Sequence, residues 1–169
     1  MYPVTVISGA PGSGKTTLAR SLAENSMKGV HIPTDYFFDF VRHKLDPSLP
    51  GSEIQNEVIL NAWCDAAVVY RAAGYEVFVD GVIGSWWFEQ LREKFGVFRY
   101  VVLSCDLKDS LSRVSARHGQ SSATPEIVQR MHTQFLAVET DFRSHVIQTG
   151  SLTAAQVVAA YGELDQLTI

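Results

Sequence analysis

Cysteine is scarce. Cys64 and Cys105 are the only two in 169 residues, too few and too far apart for a disulfide framework or a zinc site, and each is expected to pack as a small apolar residue. Long apolar runs are also missing. None approaches the ~20 residues that a membrane span requires, and the short run Val4 to Ile7 passes straight into glycines rather than extending as a leader. The chain therefore reads as soluble and cytoplasmic, without a membrane partner. Positive charge is in deficit as well: 14 Lys and Arg stand against 18 Asp and Glu, for a net charge of −4. A general nucleic-acid surface needs a basic face, so no nucleic-acid partner is expected. With no internal repeat, low-complexity tract or linker, residues 1–169 read as one domain.

What is present is an ordinary globular balance, 46% hydrophobic and 19% charged, in a chain long enough to bury its own core. Short apolar runs alternate with segments of helical period, the pattern of an α/β domain whose parallel sheet is covered by helices. The strand candidates are Val4 to Ser8, Val30 to Pro33, Glu76 to Asp80, Tyr100 to Ser104 and His145 to Gln148. Thr124 followed by Pro125 predicts a helix start, with Ile127, Met131, Phe135 and Val138 on its buried side. Ser52 with Gln55, and Thr153 with Gln156, fit capping boxes. Ile59, Trp63, Ala66, Ala67 and Tyr70 form an apolar stripe that Gly74 closes.

The strongest motif is Gly9-Ala10-Pro11-Gly12-Ser13-Gly14-Lys15-Thr16, a full match to G-x-x-x-x-G-K-[ST] between a strand and a helical segment that begins at Thr17. Its glycines let backbone N–H groups wrap phosphate oxygens, and the following helix adds its positive end. These residues, with Thr17, are the expected nucleotide-binding set. Lys15 is expected at the β- and γ-phosphates of ATP and Thr16 on Mg²⁺.

Two acids follow strands. Asp80 ends Val77-Phe78-Val79, where a carboxylate holds Mg²⁺ directly or through water, stands beside the substrate, or only opens a turn before Gly81. Asp35 follows the second strand, on the rim where ligands collect in open parallel sheets. It either accepts the proton of an attacking hydroxyl or caps the next helix, and the two roles are compatible. Leu107, Leu111 and Val114 mark the buried face of a later helix. Arg113 and Arg117 share another face, either solvated or aimed at a transferring phosphoryl group from a lid spanning about 113–125. No histidine shows metal-ligand spacing.

The phosphate loop, Thr34-Asp35, Asp80-Gly81-Val82-Ile83-Gly84 and Arg113-x-x-x-Arg117 together resemble a small P-loop kinase. The likeness is to the shikimate and gluconate kinase branch, and especially to chloramphenicol phosphotransferase-like proteins and zeta toxins. The resemblance implies a three-layer sandwich with a five-stranded parallel sheet in the order 2-3-1-4-5 and a lid between strands four and five. It implies Asp35 as the base, Lys15 and Thr16 at phosphates and metal, lid arginines on ATP, and Gln148 to Ser151 near the adenine. The basic arrangement of a shikimate or gluconate carboxylate site is not found, nor is the long insertion of a zeta toxin.

On the substrate side, Phe37 and Phe40 are three apart and read either as the buried side of a helix, the favoured reading, or as part of the acceptor pocket. Trp86 and Trp87 are adjacent, cannot both face inward, and offer at least one ring to a partly apolar or planar substrate. Arg42, His43 and Lys44 read either as a site for a substrate anion or, the favoured reading, as a solvated helix end. The leading expectation is transfer of the γ-phosphate of ATP to a hydroxyl of a small metabolite or antibiotic-like molecule by a monomer or homodimer. The alternatives are a kinase for a nucleic-acid end, tRNA or nucleotide sugar, and an ATPase switch without an acceptor.

Overall fold

The β-branched and aromatic runs pair into one parallel sheet in the order β2-β3-β1-β4-β5. The computed structural model describes residues 2–116, 123–164 and 167–169. The strands are β1 Thr5–Ser8, β2 Gly29–Pro33, β3 Glu76–Asp80, β4 Arg99–Ser104 and β5 Val146–Gln148. Each lies within a residue or so of its expected run, because a strand buried on both faces must be apolar along its whole length. Helices follow in chain order: α1 Lys15–Asn25, α2 Asp35–Asp39, α3 Glu53–Ala72, α4 Phe88–Phe95, α5 Leu107–Ser115, α6 Pro125–Asp141 and α7 Ala154–Gly162.

The period-two alternation of the strands divides the core. Ile7, Phe78, Val101, Leu103 and Ile147 face Leu18 and Ala19 of α1 and Val157 of α7. Val4, Val6, Val77, Val79, Tyr100 and Val102 face Ile59 and Trp63 of α3, Leu91 of α4, and Phe135 and Val138 of α6. This is the expected three-layer sandwich. Register pairs Ile7 and Pro33 with Asp80, so β1, β2 and β3 end level and their following loops share one rim.

Local signals hold where the partners are close in sequence. Thr124 accepts from the Ile127 amide, and the Thr153–Gln156 capping box forms on both sides. The Ser52–Gln55 box does not. Ser52 Oγ donates instead to the Leu49 carbonyl at 2.7 Å, and Gln55 bonds both backbone groups of Leu45, since the loop before α3 offers groups that would otherwise go unpaired. Tyr70 lies exposed at the end of its stripe, beside Tyr75. On α6 the inward line begins at Val128 rather than Ile127. On α5 the buried residue is Ser110, with Leu107, Leu111 and Val114 only half-buried. Both cysteines are free and buried, and burial pushes the Cys64 thiol up to about 12, the behaviour of a packing residue.

Candidate active site

The loop after β1 is shaped by its contacts before any ligand arrives. Gly12 has φ +84°, and a Cβ there would lie 2.7 Å from the Ser110 carbonyl oxygen. Only glycine tolerates both the left-handed backbone and the approach of α5. Lys15 is buried at 9% exposure, and its Nζ donates to the Ala10 carbonyl at 2.9 Å, arching back across the loop. Ser13 Oγ is buried without a hydrogen-bond partner, a donor that the loop itself leaves unused.

Asp80 stands beside the loop, 5% exposed. Its Oδ2 accepts from Thr16 Oγ1 at 2.6 Å, and its Oδ1 lies 2.5 Å from His31 Nε2. Donation of the Thr16 proton to Asp80 turns the lone pairs of that hydroxyl outward. Two hard oxygen groups of this kind suit Mg²⁺, which keeps waters and phosphate oxygens for most of its positions. Among the described residues no group of three His, Cys, Asp or Glu gathers into a protein-only metal cage. The donor set therefore fits a magnesium ion carried by a nucleotide.

Asp35 begins α2 on the same rim. The backbone puts it there: the Thr34 amide donates to the Asp80 carbonyl at 2.9 Å, and the Phe37 amide to the Thr34 carbonyl at 3.0 Å. Thr34, not Asp35, occupies the cap position, and it makes no side-chain cap bond. The Asp35 carboxyl opens to solvent yet is walled by protein. Its pKa is raised, first by desolvation and then by the charges of Asp80 and Asp39, while Lys15 and Lys44 act in the opposite direction.

A second set of residues joins the phosphate loop to the segment after β5. Thr149 Oγ1 is shared between the Ser13 carbonyl at 2.9 Å and the Ser104 carbonyl at 3.0 Å. Arg113 on α5 donates to the carbonyls of Gly12, Thr149 and Gly150 at 3.3, 3.1 and 3.1 Å. The structure thus places Arg113 as a brace between the phosphate loop and the loop expected near the adenine. Arg117 and the rest of residues 117–122 of the expected lid lie outside the described residues.

The loop after Asp80 is held from below. Ser8 Oγ donates to the Ile83 carbonyl at 2.7 Å and accepts from the Ile83 amide at 2.9 Å, while Tyr100 Oη donates to the same carbonyl at 2.8 Å. Trp86 follows, 50% exposed; its indole lies over Gly84, where a Cβ would meet the ring at 2.0 Å, and its edge meets Phe135. Trp87 packs against the core. The two tryptophans divide as their adjacency requires, with Trp86 lining a groove of 340 Å³ against Gln134, Val138 and Asp141 of α6.

The acceptor-side aromatics divide too. Phe37 and Phe38 pack on the core, whereas Phe40 is 73% exposed. The expected burial of Phe40 fails because α2 ends at Asp39, before a second turn can carry that ring inward. Arg42, His43 and Lys44 consequently lie beyond the helix, and Lys44 pairs with Asp39 at 2.6 Å. Arg130 of α6 bonds Ser48 Oγ and lies 3.6 Å from Asp46, tying α6 to the loop that precedes α3.

His31, Ser8, Tyr100 and Arg130 are not legible as site residues in the sequence, and Thr149 is foreseen only as part of the Gln148 to Ser151 stretch expected near the adenine. The only hint is a polar group within or beside an apolar strand, as with His31 between Val30 and Ile32, or Ser8 after Ile7.

Comparison with known proteins agrees with this architecture. No curated protein sequence matches the chain. Among solved structures it is similar to a sugar kinase from Janibacter sp. HTCC2649, with a TM-score of 0.77 at 18% identity over 99% of this chain and 96% of that one. It is similar to a gluconokinase from Sinorhizobium meliloti 1021, with a TM-score of 0.67 at 20% identity over 93% and 87%. It is also similar to the tunicamycin resistance protein of Deinococcus radiodurans, with a TM-score of 0.64 at 22% identity over 97% of each chain. These likenesses establish a P-loop kinase fold. Residues 6–132 match the AAA domain family, a stretch that covers most of the chain and the loops after β1, β2 and β3, and the protein belongs to that family.

Proposed function

We propose that this chain is an ATP-dependent phosphotransferase that moves the γ-phosphate to a hydroxyl of a small molecule. The observation that carries the reading is the placement of Asp35 at the start of α2, beside the end of β3 and on the same rim as the phosphate loop and Asp80; desolvation also raises its pKa. A phosphate loop and a metal-side acid serve every nucleotide hydrolase. A second carboxylate placed across from them serves an incoming hydroxyl.

In this reading the backbone amides of Gly9 to Thr16 bind the polyphosphate, and Lys15 leaves the Ala10 carbonyl to reach the β- and γ-oxygens. Asp80 keeps the Thr16 proton and so aims the Thr16 oxygen at the metal. Thr16 and Asp80 would hold Mg²⁺, which would supply positive charge against the charge that builds on the phosphates during transfer. Asp35 orients the acceptor hydroxyl and takes its proton as the oxygen bonds to the γ-phosphorus and the bond from that phosphorus to the bridging oxygen breaks, so that ADP leaves. Arg113 holds the phosphate loop and the loop after β5 together, and Arg117, four residues further on, is the arginine left to meet the transferring group. The acceptor is a small molecule, in keeping with a net charge of −4 and with relatives of this fold named for sugars and an antibiotic. Magnesium, ATP and a cytoplasmic setting belong to the same proposal. Among the described residues no helix is long and apolar enough to cross a membrane.

The test is a mass-spectrometric screen of hydroxylated sugars, cyclitols and antibiotics for ATP-dependent phosphorylation, repeated with Asp35→Asn. The reading requires a phosphorylated product that disappears in the variant while nucleotide still binds. Hydrolysis that ignores every acceptor and rises with a protein partner would instead support a nucleotide switch.

A further inference from the structure

The rim contains one polar contact that the proposed chemistry has not used. His31 lies on β2, between α1 and the sheet, with its side chain 14% exposed. Its Nε2 stands 2.5 Å from Asp80 Oδ1, while Thr16 holds Asp80 Oδ2. A carboxylate offers only acceptors, so this contact puts a proton on Nε2 and makes the imidazole the donor. Asp80 is therefore gripped from two sides. A carboxylate held at one oxygen can turn about its last torsion, which is broad and two-fold; one held at both cannot.

We infer that His31 is a positioning residue for the metal side of the site, fixing Asp80 so that Oδ2 stays with Thr16. The inference rests on the magnesium-nucleotide reading above. With Oδ1 anchored, the Thr16 proton has one destination and the hydroxyl keeps its lone pairs toward the metal position. Without the anchor, Asp80 can swing away or accept from other donors, and Thr16 then presents oxygen or hydrogen to the cation indifferently. Groups that orient metal-side ligands in this manner typically govern affinity by 10- to 100-fold. His31 makes this contact from a strand paired with β3 along its length, so the donor is carried on rigid backbone.

The experiment compares ADP and ATP binding by calorimetry, in magnesium and in EDTA, for the wild type, His31→Ala and His31→Gln. In the wild type, magnesium tightens binding. In His31→Ala that tightening falls by about tenfold, whereas affinity in EDTA is unchanged, because the backbone cradle and Lys15 act without the cation. The glutamine amide can donate to Oδ1, so His31→Gln recovers most of the loss. A residue that only fills space in β2 would lower affinity equally in both buffers, or lower the melting temperature of the ligand-free protein and nothing else. Either result, or a full magnesium effect in His31→Ala, overturns the role. Failure of the wild type to bind nucleotide with magnesium overturns the parent reading instead.

Discussion

On the proposed nucleotide side, the groups offered to a ligand are backbone amides and short side chains set into the sheet. Gly12 is pressed against α5, Thr149 ties Ser13 to Ser104, and Asp80 is buried with both oxygens bonded. On the acceptor side, the chain between Asp35 and α3 has one five-residue helix and a loop held by Ser52, Gln55 and Arg130, with Tyr36, Phe40, Leu45 and Leu49 exposed. Polyphosphate is the same for every reaction, and a main-chain cradle suits it. The acceptor varies, and exposed side chains on a loop can be exchanged without disturbing the sheet.

Breaking the acceptor side at its base has the largest expected effect. Asp35→Asn should lower kcat by about 10²–10⁴-fold while nucleotide affinity, followed by calorimetry, stays near the wild-type value. The same substitution should raise the melting temperature at neutral pH. The carboxyl pKa of Asp35 is raised in the folded state, so its ionised form costs stability. That cost appears as pH rises from the ordinary carboxylate range through the raised value, and Asn removes it. Breaking the nucleotide side at Lys15→Met should reduce kcat/KM by about 10²–10³-fold, with no change in which acceptors are preferred. Equal damage by both variants to nucleotide affinity would erase the distinction between the two sides.

Smaller changes sharpen it. Thr149→Val removes a buried donor shared by two carbonyls and should cost about 1 kcal/mol, a fall of ~2–4 °C in melting temperature, together with weaker nucleotide binding and an unaltered acceptor KM. Asp39→Asn removes a negative charge that helps raise the Asp35 pKa, so the acid limb of the kcat profile should move to lower pH. Phe40→Ser should change stability by no more than about 0.5 kcal/mol, as expected for an exposed position, and alter only the acceptor KM. A large loss of stability in that variant would mean the ring is structural after all.

The same contrast explains what could be foreseen. The phosphate loop is eight consecutive residues, and Asp35 and Asp80 stand where strands end, so local pattern suffices to place them on the rim. His31 meets Asp80 across 49 residues and Thr149 meets Ser13 across 136. Such pairs are created by sheet register, and nothing in the neighbouring residues announces them. Phe40 shows the opposite failure. Its spacing from Phe37 is helical, but the helix stops one residue short, and periodicity does not say where a helix must end. The pairing of Ser52 with Gln55 fails for a related reason, since both side chains serve backbone groups of the preceding loop.

The bond from Thr149 to the Ser13 carbonyl has a consequence for biosynthesis. The phosphate loop leaves the ribosome more than a hundred residues ahead of Thr149. Until that threonine and β5 have emerged, the Ser13 carbonyl lacks this donor and α5 has no partner carbonyls at Thr149 and Gly150 for Arg113. The nascent chain should therefore gain its grip on nucleotide late and abruptly, when the last strand docks, rather than while the motif itself is being made.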